Sequence, residues 1–126
     1  MIFGIGVDIA EISRFVAAHE RFGDRFAKRI LSKNELEWFP QARDPARFLA
    51  MRFAAKEATS KALGTGFKQG VAPRQIEVRH APSGKPDLVA HGRALELFDE
   101  HNISRGHVSL SDDGGFAIAY VVLEVG

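Results

Sequence analysis

Arg52-Phe53-Ala54-Ala55-Lys56-Glu57-Ala58-Thr59-Ser60-Lys61-Ala62-Leu63-Gly64 is the most informative run of this chain. It reads as the second half of a helix. Asp44-Pro45 upstream supplies an N-cap and a proline at the first helical position, and Gly64 suits the residue just past the last turn. At about 100° per residue, Phe48, Met51, Ala55, Ala58, Thr59 and Ala62 fall on one side, a stripe of mostly small residues expected to pack closely on the core. Lys56, Glu57, Ser60 and Lys61 fall on the other, so a carboxylate stands with two ammonium groups and a hydroxyl within about one turn. Glu57 and Lys61, four apart, also read as an ordinary surface ion pair worth about 0.3–0.5 kcal/mol.

Working outward, the chain opens with Ile2-Phe3-Gly4-Ile5-Gly6-Val7-Asp8-Ile9. Apolar residues at the odd positions predict a strand with that face covered, and the two glycines leave room for something to approach the other face. A helix is expected through Ile12, Phe15, Val16 and His19, ending near Gly23. A second, shorter one follows, with Asp24 as its cap. Ser32 and Glu35 form a capping box for a third, which Pro40 stops. Beyond Gly64 the reading is mostly strand: Gln75–His80, a turn through Pro82-Ser83-Gly84-Lys85-Pro86, then Asp87–Ala90. A short helix is expected over Gly92–His101. His107–Ser111 and Phe116–Val125 flank Asp112-Asp113-Gly114-Gly115, a hairpin signal. Helices cluster early and strands late, so the expected fold is α+β, a single domain over 1–126 with an antiparallel sheet of hairpins packed by helices.

Composition narrows the chemistry. The 126 residues include no cysteine, which excludes a disulfide scaffold, a thiolate zinc site and a thiol nucleophile. No apolar run approaches a membrane span, and the N-terminus lacks the basic and long apolar regions of a secretion signal, so a cytoplasmic protein is expected. Residues 1–70 carry twelve Lys/Arg against eight Asp/Glu, the remainder five against eight. That asymmetry points to an anionic partner but is too weak for nucleic acid. Arg14, Arg21, Arg25, Lys28 and Arg29 cluster on the first two helices, either as a solvated face or as a surface steering an acidic protein.

Asp8 has two readings. With Glu11 it fits a capping box; alternatively it is a carboxylate at the end of an apolar strand, placed for a cation. Asp8 and Glu57, from separate segments, could share one Mg²⁺, which takes one or two carboxylates plus substrate phosphates. Lys61 and Lys56 would then lie where phosphate oxygens sit, an arrangement suited to phosphoryl transfer. The histidines His19, His80, His91, His101 and His107 show no metal-ligand spacing. His107, on an expected strand, reads equally as facing a ligand or closing a sheet edge.

Taken together, these residues resemble the short type of the 4′-phosphopantetheinyl transferase family, the holo-[acyl-carrier-protein] synthases. Gly4-Ile5-Gly6-Val7-Asp8-Ile9 is similar to the family's N-terminal signature, and Arg52 to Ala62 to its second, R-F-A-x-K-E-A-x-x-K-A. Gly64-Thr65-Gly66 follows as in the family, Gly84-Lys85-Pro86 is similar to its G-K-P turn, and His107-Val108-Ser109-Leu110-Ser111-Asp112 resembles its third signature. The likeness covers nearly the whole chain, as a single copy of the fold; family members acting on polyketide or peptide synthases are about twice as long.

The resemblance implies transfer of the 4′-phosphopantetheine arm of coenzyme A to a serine of apo acyl carrier protein, in fatty acid biosynthesis, releasing adenosine 3′,5′-bisphosphate. Asp8 and Glu57 match the family's Mg²⁺ ligands. Glu57 also helps deprotonate the carrier serine, and Lys61 neutralises the diphosphate. Arg52, Ser60, Lys61, Pro86 and His107 fall where the family lines its coenzyme A site. Arg14, Arg25 and Arg29 fit the surface that docks the acidic carrier. Homotrimers with active sites between subunits are implied, so that His107 serves a neighbour's site. Asp112 is left without a role. A module that binds coenzyme A or carrier without transfer remains the non-enzymatic alternative.

Overall fold

A computed structural model describes residues 1–126. The chain runs β1 (Ile2–Glu11), α1 (Ile12–Phe22), α2 (Asp24–Ile30), α3 (Lys33–Trp38), α4 (Pro45–Leu63), β2 (Ile76–His80), β3 (Pro86–Ala90), α5 (Gly92–Glu100), β4 (Ile103–Asp113) and β5 (Phe116–Val125). Two antiparallel sheets form, β1-β5-β4 and the hairpin β2-β3, as the α+β reading expects. The first strand pairs along nearly its whole length with the last, so the two ends of the chain close one sheet.

Local chemistry starts and stops the elements where the residues say it should. Ser32 Oγ accepts from the Glu35 amide at 3.2 Å while Glu35 Oε1 accepts from the Ser32 amide at 2.8 Å, completing the capping box. Asp44 Oδ1 accepts from the Arg47 amide at 3.1 Å, and Gly64 leaves α4 at φ 85°. Gly114 and Gly115 turn the β4–β5 hairpin at φ 58° and 84°, which only glycine adopts without strain at both central positions.

Two capping expectations are overturned. β1 continues through Asp8 to Glu11, so α1 begins at Ile12 and Asp8 caps nothing. Asp24 is the first residue inside α2, after Gly23 at φ 60°, and makes no cap.

A larger reversal concerns β1. Its glycine face is the buried one: a Cβ at Gly4 would lie 2.0 Å from the Ala62 carbonyl oxygen, and one at Gly6 1.9 Å from that of Ala58. The helix α4 is what approaches. The apolar residues Ile5, Val7 and Ile9 point outward and are exposed, 61% in the case of Ile9. The close approach that the glycines allow is observed, while the apolar face expected to be covered is open in the single chain, because contact at backbone distance excludes large side chains. The pairings Ile5–Val122, Val7–Tyr120 and Ile9–Ile118 extend this outer apolar surface across β5.

Nor does α4 have a single apolar side. Leu49, Ala50, Ala54, Ala55 and Ala58 are fully buried, and so are Lys56, Thr59 and Ser60. The helix is an axle through the domain, with the three-stranded sheet on one flank, α1, α2 and β2 around the rest, and α3 reaching it through Glu35.

Candidate active site

Asp8 and Glu57 meet along the seam where β1 crosses α4. Asp8, on the glycine face of β1, turns its carboxylate toward the helix, and Lys61 Nζ donates to Asp8 Oδ1 and to the Val7 carbonyl, each at 3.1 Å. Glu57 stands one turn earlier on α4, half-buried, with no side-chain hydrogen-bond partner. Its carboxyl is pushed above the usual carboxylate range, first by burial and then by the negative charge of Asp8, with Lys61 pulling the other way. Both carboxylates line a cavity of about 570 Å³, together with Arg14, Arg29, Phe15 and Phe53.

A divalent cation of hard character fits this pair. The donors are carboxylate oxygens, and the charge of Asp8 works against that of Glu57. No three His, Asp or Glu side chains gather as a cage. A pair of carboxylates is a donor set that Mg²⁺ could take while it shares the rest of its shell with water and phosphate.

Lys56 is not in this site. The expectation that it meets phosphate oxygens fails, because its ammonium group is wholly buried on Glu35 Oε1 at 2.6 Å. Ser60 is also wholly buried, and its hydroxyl donates to the Glu57 carbonyl at 2.7 Å. In the single chain it therefore serves the helix and touches no surface. Helical periodicity put Lys56 and Ser60 beside Glu57 correctly; it could not show that this flank of α4 is also covered.

Arg52, Pro86 and His107 lie elsewhere. Arg52 and Pro86 line a separate cavity of about 500 Å³ with Arg43, Arg47, Phe48 and His80. Its guanidinium carbon stacks 3.8 Å over the Phe48 ring. Burial and then the charges of Arg52 and Arg47 hold the His80 imidazole below its usual pKa, so the cavity is electropositive. His107 stands on the outer face of β4, its Nε2 3.0 Å from Glu124 Oε1, beside a groove that also includes Pro86. Asp112 takes a bidentate contact from Arg47, at 3.0 and 2.9 Å, which joins the start of α4 to the end of β4. Arg43, Arg47 and His80 were missed from sequence; the run of arginines approaching Arg52 was the available signal. Arg14 and Arg29 reach the carboxylate cavity, while Arg25 and Arg29 flank a shallow groove over Phe22 and Phe26.

Residues 4–121 match the family model described as the 4′-phosphopantetheinyl transferase superfamily. The chain belongs to that superfamily. Within it, this transferase chain is 52% identical over 124 residues to the holo-[acyl-carrier-protein] synthase of Nitratidesulfovibrio vulgaris (strain DP4), covering 98% of this chain and 99% of that one. It is 49% identical to the Vibrio cholerae (strain M66-2) holo-[acyl-carrier-protein] synthase, with 98% of both chains covered. Among solved structures, the Neisseria meningitidis holo-[acyl-carrier-protein] synthase superposes with a TM-score of 0.91 at 46% identity, covering 98% of this chain and 99% of that one. The Helicobacter pylori holo-[acyl-carrier-protein] synthase, solved in complex with coenzyme A, gives 0.82 at 35% identity, over 95% and 99%. The chain is thus an enzyme of the holo-[acyl-carrier-protein] synthase type, and the fold expected from the resemblance is the one observed.

Proposed function

We propose that this chain transfers the 4′-phosphopantetheine arm of coenzyme A to a serine of apo acyl carrier protein, using Mg²⁺, in fatty acid biosynthesis. The observation that carries the reading is the pairing of Asp8 with Glu57 across the β1–α4 seam, with Lys61 on Asp8, in a cavity bordered by Arg14 and Arg29. The coenzyme A complexes of relatives from Helicobacter pylori and Bacillus anthracis support the choice of donor.

In the reaction the serine oxygen attacks the phosphorus that bears pantetheine. A new O–P bond forms as the bond to the bridging oxygen breaks, and adenosine 3′,5′-bisphosphate leaves. Asp8 and Glu57 would hold the Mg²⁺, which neutralises charge building on the diphosphate. Glu57 would also help take the proton from the serine hydroxyl. Lys61, half exposed, places a second positive charge beside the diphosphate. Arg52 and Pro86, in the electropositive cavity, are assigned to coenzyme A with His107; Ser60 would act only through the helix turn it bonds.

These coenzyme A residues do not share a cavity with Asp8 and Glu57 in one chain. His107 instead lies on the same outer sheet face as exposed Ile5, Val7, Ile9 and Tyr120. An apolar patch of this kind marks an association surface. A homotrimer burying it, with His107 serving a neighbour's site, fits both facts. No helix is long and apolar enough to cross a membrane, and we place the enzyme in the cytoplasm, with no nucleic acid among its partners.

Incubation with apo acyl carrier protein, coenzyme A and Mg²⁺ should add one phosphopantetheine to the carrier in mass spectrometry, and EDTA should remove the gain. No gain with folded protein would leave a binding module. Carriers of fatty-acid and of polyketide or peptide type, compared side by side, test the pathway. Arg14, Arg25 and Arg29 are assigned to docking the acidic carrier. Arg25→Glu should weaken carrier binding about tenfold at low salt and less at high salt, with coenzyme A affinity unchanged. Parallel loss of both affinities in calorimetry would exclude docking.

A further inference from the structure

The group of charges that the site does not use is the most deeply buried in the molecule. Glu35 of α3 is 0% exposed, and both of its oxygens are fully engaged. Oε1 accepts from the Ser32 amide at 2.8 Å and from Lys56 Nζ at 2.6 Å. Oε2 accepts from the Val78 amide at 2.9 Å and lies 3.4 Å from Arg52 Nε. Lys56 Nζ has three protons and three acceptors: Glu35, the Pro73 carbonyl at 3.1 Å and the Ile76 carbonyl. One carboxylate thus ties α3, α4 and β2 together, and one ammonium ties α4 to the turn before β2.

Such a cluster is a poor device for stability. Taking the charges out of water costs about as much as their attraction returns, and apolar replacements of similar size are often neutral or stabilising. What the cluster supplies is direction. Where α4 meets β1, next to the two carboxylates, it presents only the buried alanines Ala58 and Ala62 to the glycines of the strand. Small smooth side chains hold a helix close but resist rolling and sliding weakly. The polar arms of Arg52 and Lys56 resist both. Glu57 follows Lys56 directly, so the roll of α4 sets where its carboxylate stands relative to Asp8. Pro73, which accepts from Lys56, also lines the cavity that Asp8 and Glu57 share.

We propose that Lys56 is a positioning residue which, through Glu35, fixes the roll of α4 and so holds Glu57 opposite Asp8. The inference rests on the reading of those two carboxylates as the metal-holding pair.

Lys56→Met alone would strand the Glu35 carboxylate in the interior, so the decisive variant replaces both, Glu35→Met with Lys56→Met. It leaves Arg52 without its carboxylate and four backbone groups without side-chain partners, so its melting midpoint should fall, and the measurements are made well below that midpoint. Its kcat should fall about tenfold or more, by a larger factor than any rise in KM for coenzyme A that follows from the loss of the Arg52 partner, and calorimetric Mg²⁺ binding to the free chain should weaken about tenfold. A folded double variant with parental kcat and Mg²⁺ affinity overturns the proposal, as does a rise in KM with kcat unchanged. If the double variant fails to fold, Glu35→Gln, which keeps the side-chain shape, is judged by the same three quantities. Failure of the unmodified chain to bind Mg²⁺ would refute the metal reading itself, a result distinct from a defect confined to the variants.

Discussion

Glu57→Ala is expected to abolish phosphopantetheine transfer while leaving the fold intact. In the proposed function Glu57 is one of two metal-holding carboxylates and helps take the serine proton, so its loss should remove charge stabilisation and base together, a fall in kcat of at least about 10³-fold. The side chain holds nothing else in place. No hydrogen bond or ion pair runs to its carboxylate, and the core alanines of α4 are untouched. The sign of the stability effect follows from its raised pKa. A carboxylate whose folded pKa lies above its unfolded value is disfavoured in the folded state, so at neutral pH its charge costs stability. The metal-free variant should therefore melt no lower than the parent at pH 7, and the difference should vanish as the pH falls below the ordinary glutamate range. Circular dichroism melts beside the mass-spectrometric assay give both quantities. A large loss of stability together with activity would return Glu57 to a structural role.

The second large effect is steric. Gly6→Ala adds one carbon at a point 1.9 Å from the Ala58 carbonyl oxygen and 3.0 Å from the Ala62 amide nitrogen. Both are backbone atoms of the 19-residue helix α4, so no rotamer relieves the contact. Either β1 lifts off α4 or α4 shifts into its other neighbours, and both break close packing over the centre of the domain. A loss of about 3 kcal/mol or more, or about 10 °C in melting midpoint, is expected. Because Asp8 is two residues along the same strand, turnover should fall at temperatures where the variant is still folded. An unchanged midpoint in thermal and denaturant melts would show that the strand and helix do not touch as described.

These two residues mark the limits of legibility. Ser32 with Glu35, Asp44 with Pro45, Gly64, and the Gly114-Gly115 turn were readable because each acts within a few residues of itself, through a cap or a backbone conformation. The hairpins and the α+β class followed from the same local rules. Asp8 and Glu57 are readable as a candidate pair because each stands in an unusual setting, and the family resemblance supports the pairing. Lys56 was misread because its partner Glu35 lies 21 residues away, where it had been accounted for as a capping residue.

The sequence by itself thus determined most of the elements and the fold class, and it singled out the two carboxylates proposed for the site, since period, capping and turn chemistry are properties of short segments. The tertiary structure alone decided which face of β1 is buried, that α4 is enclosed on nearly all sides, and that Lys56 and Ser60 turn inward. An alternating strand or a helix of mixed residues is compatible with either face inward. Only the helix backbone lying against Gly4 and Gly6, too close for any side chain, selects one.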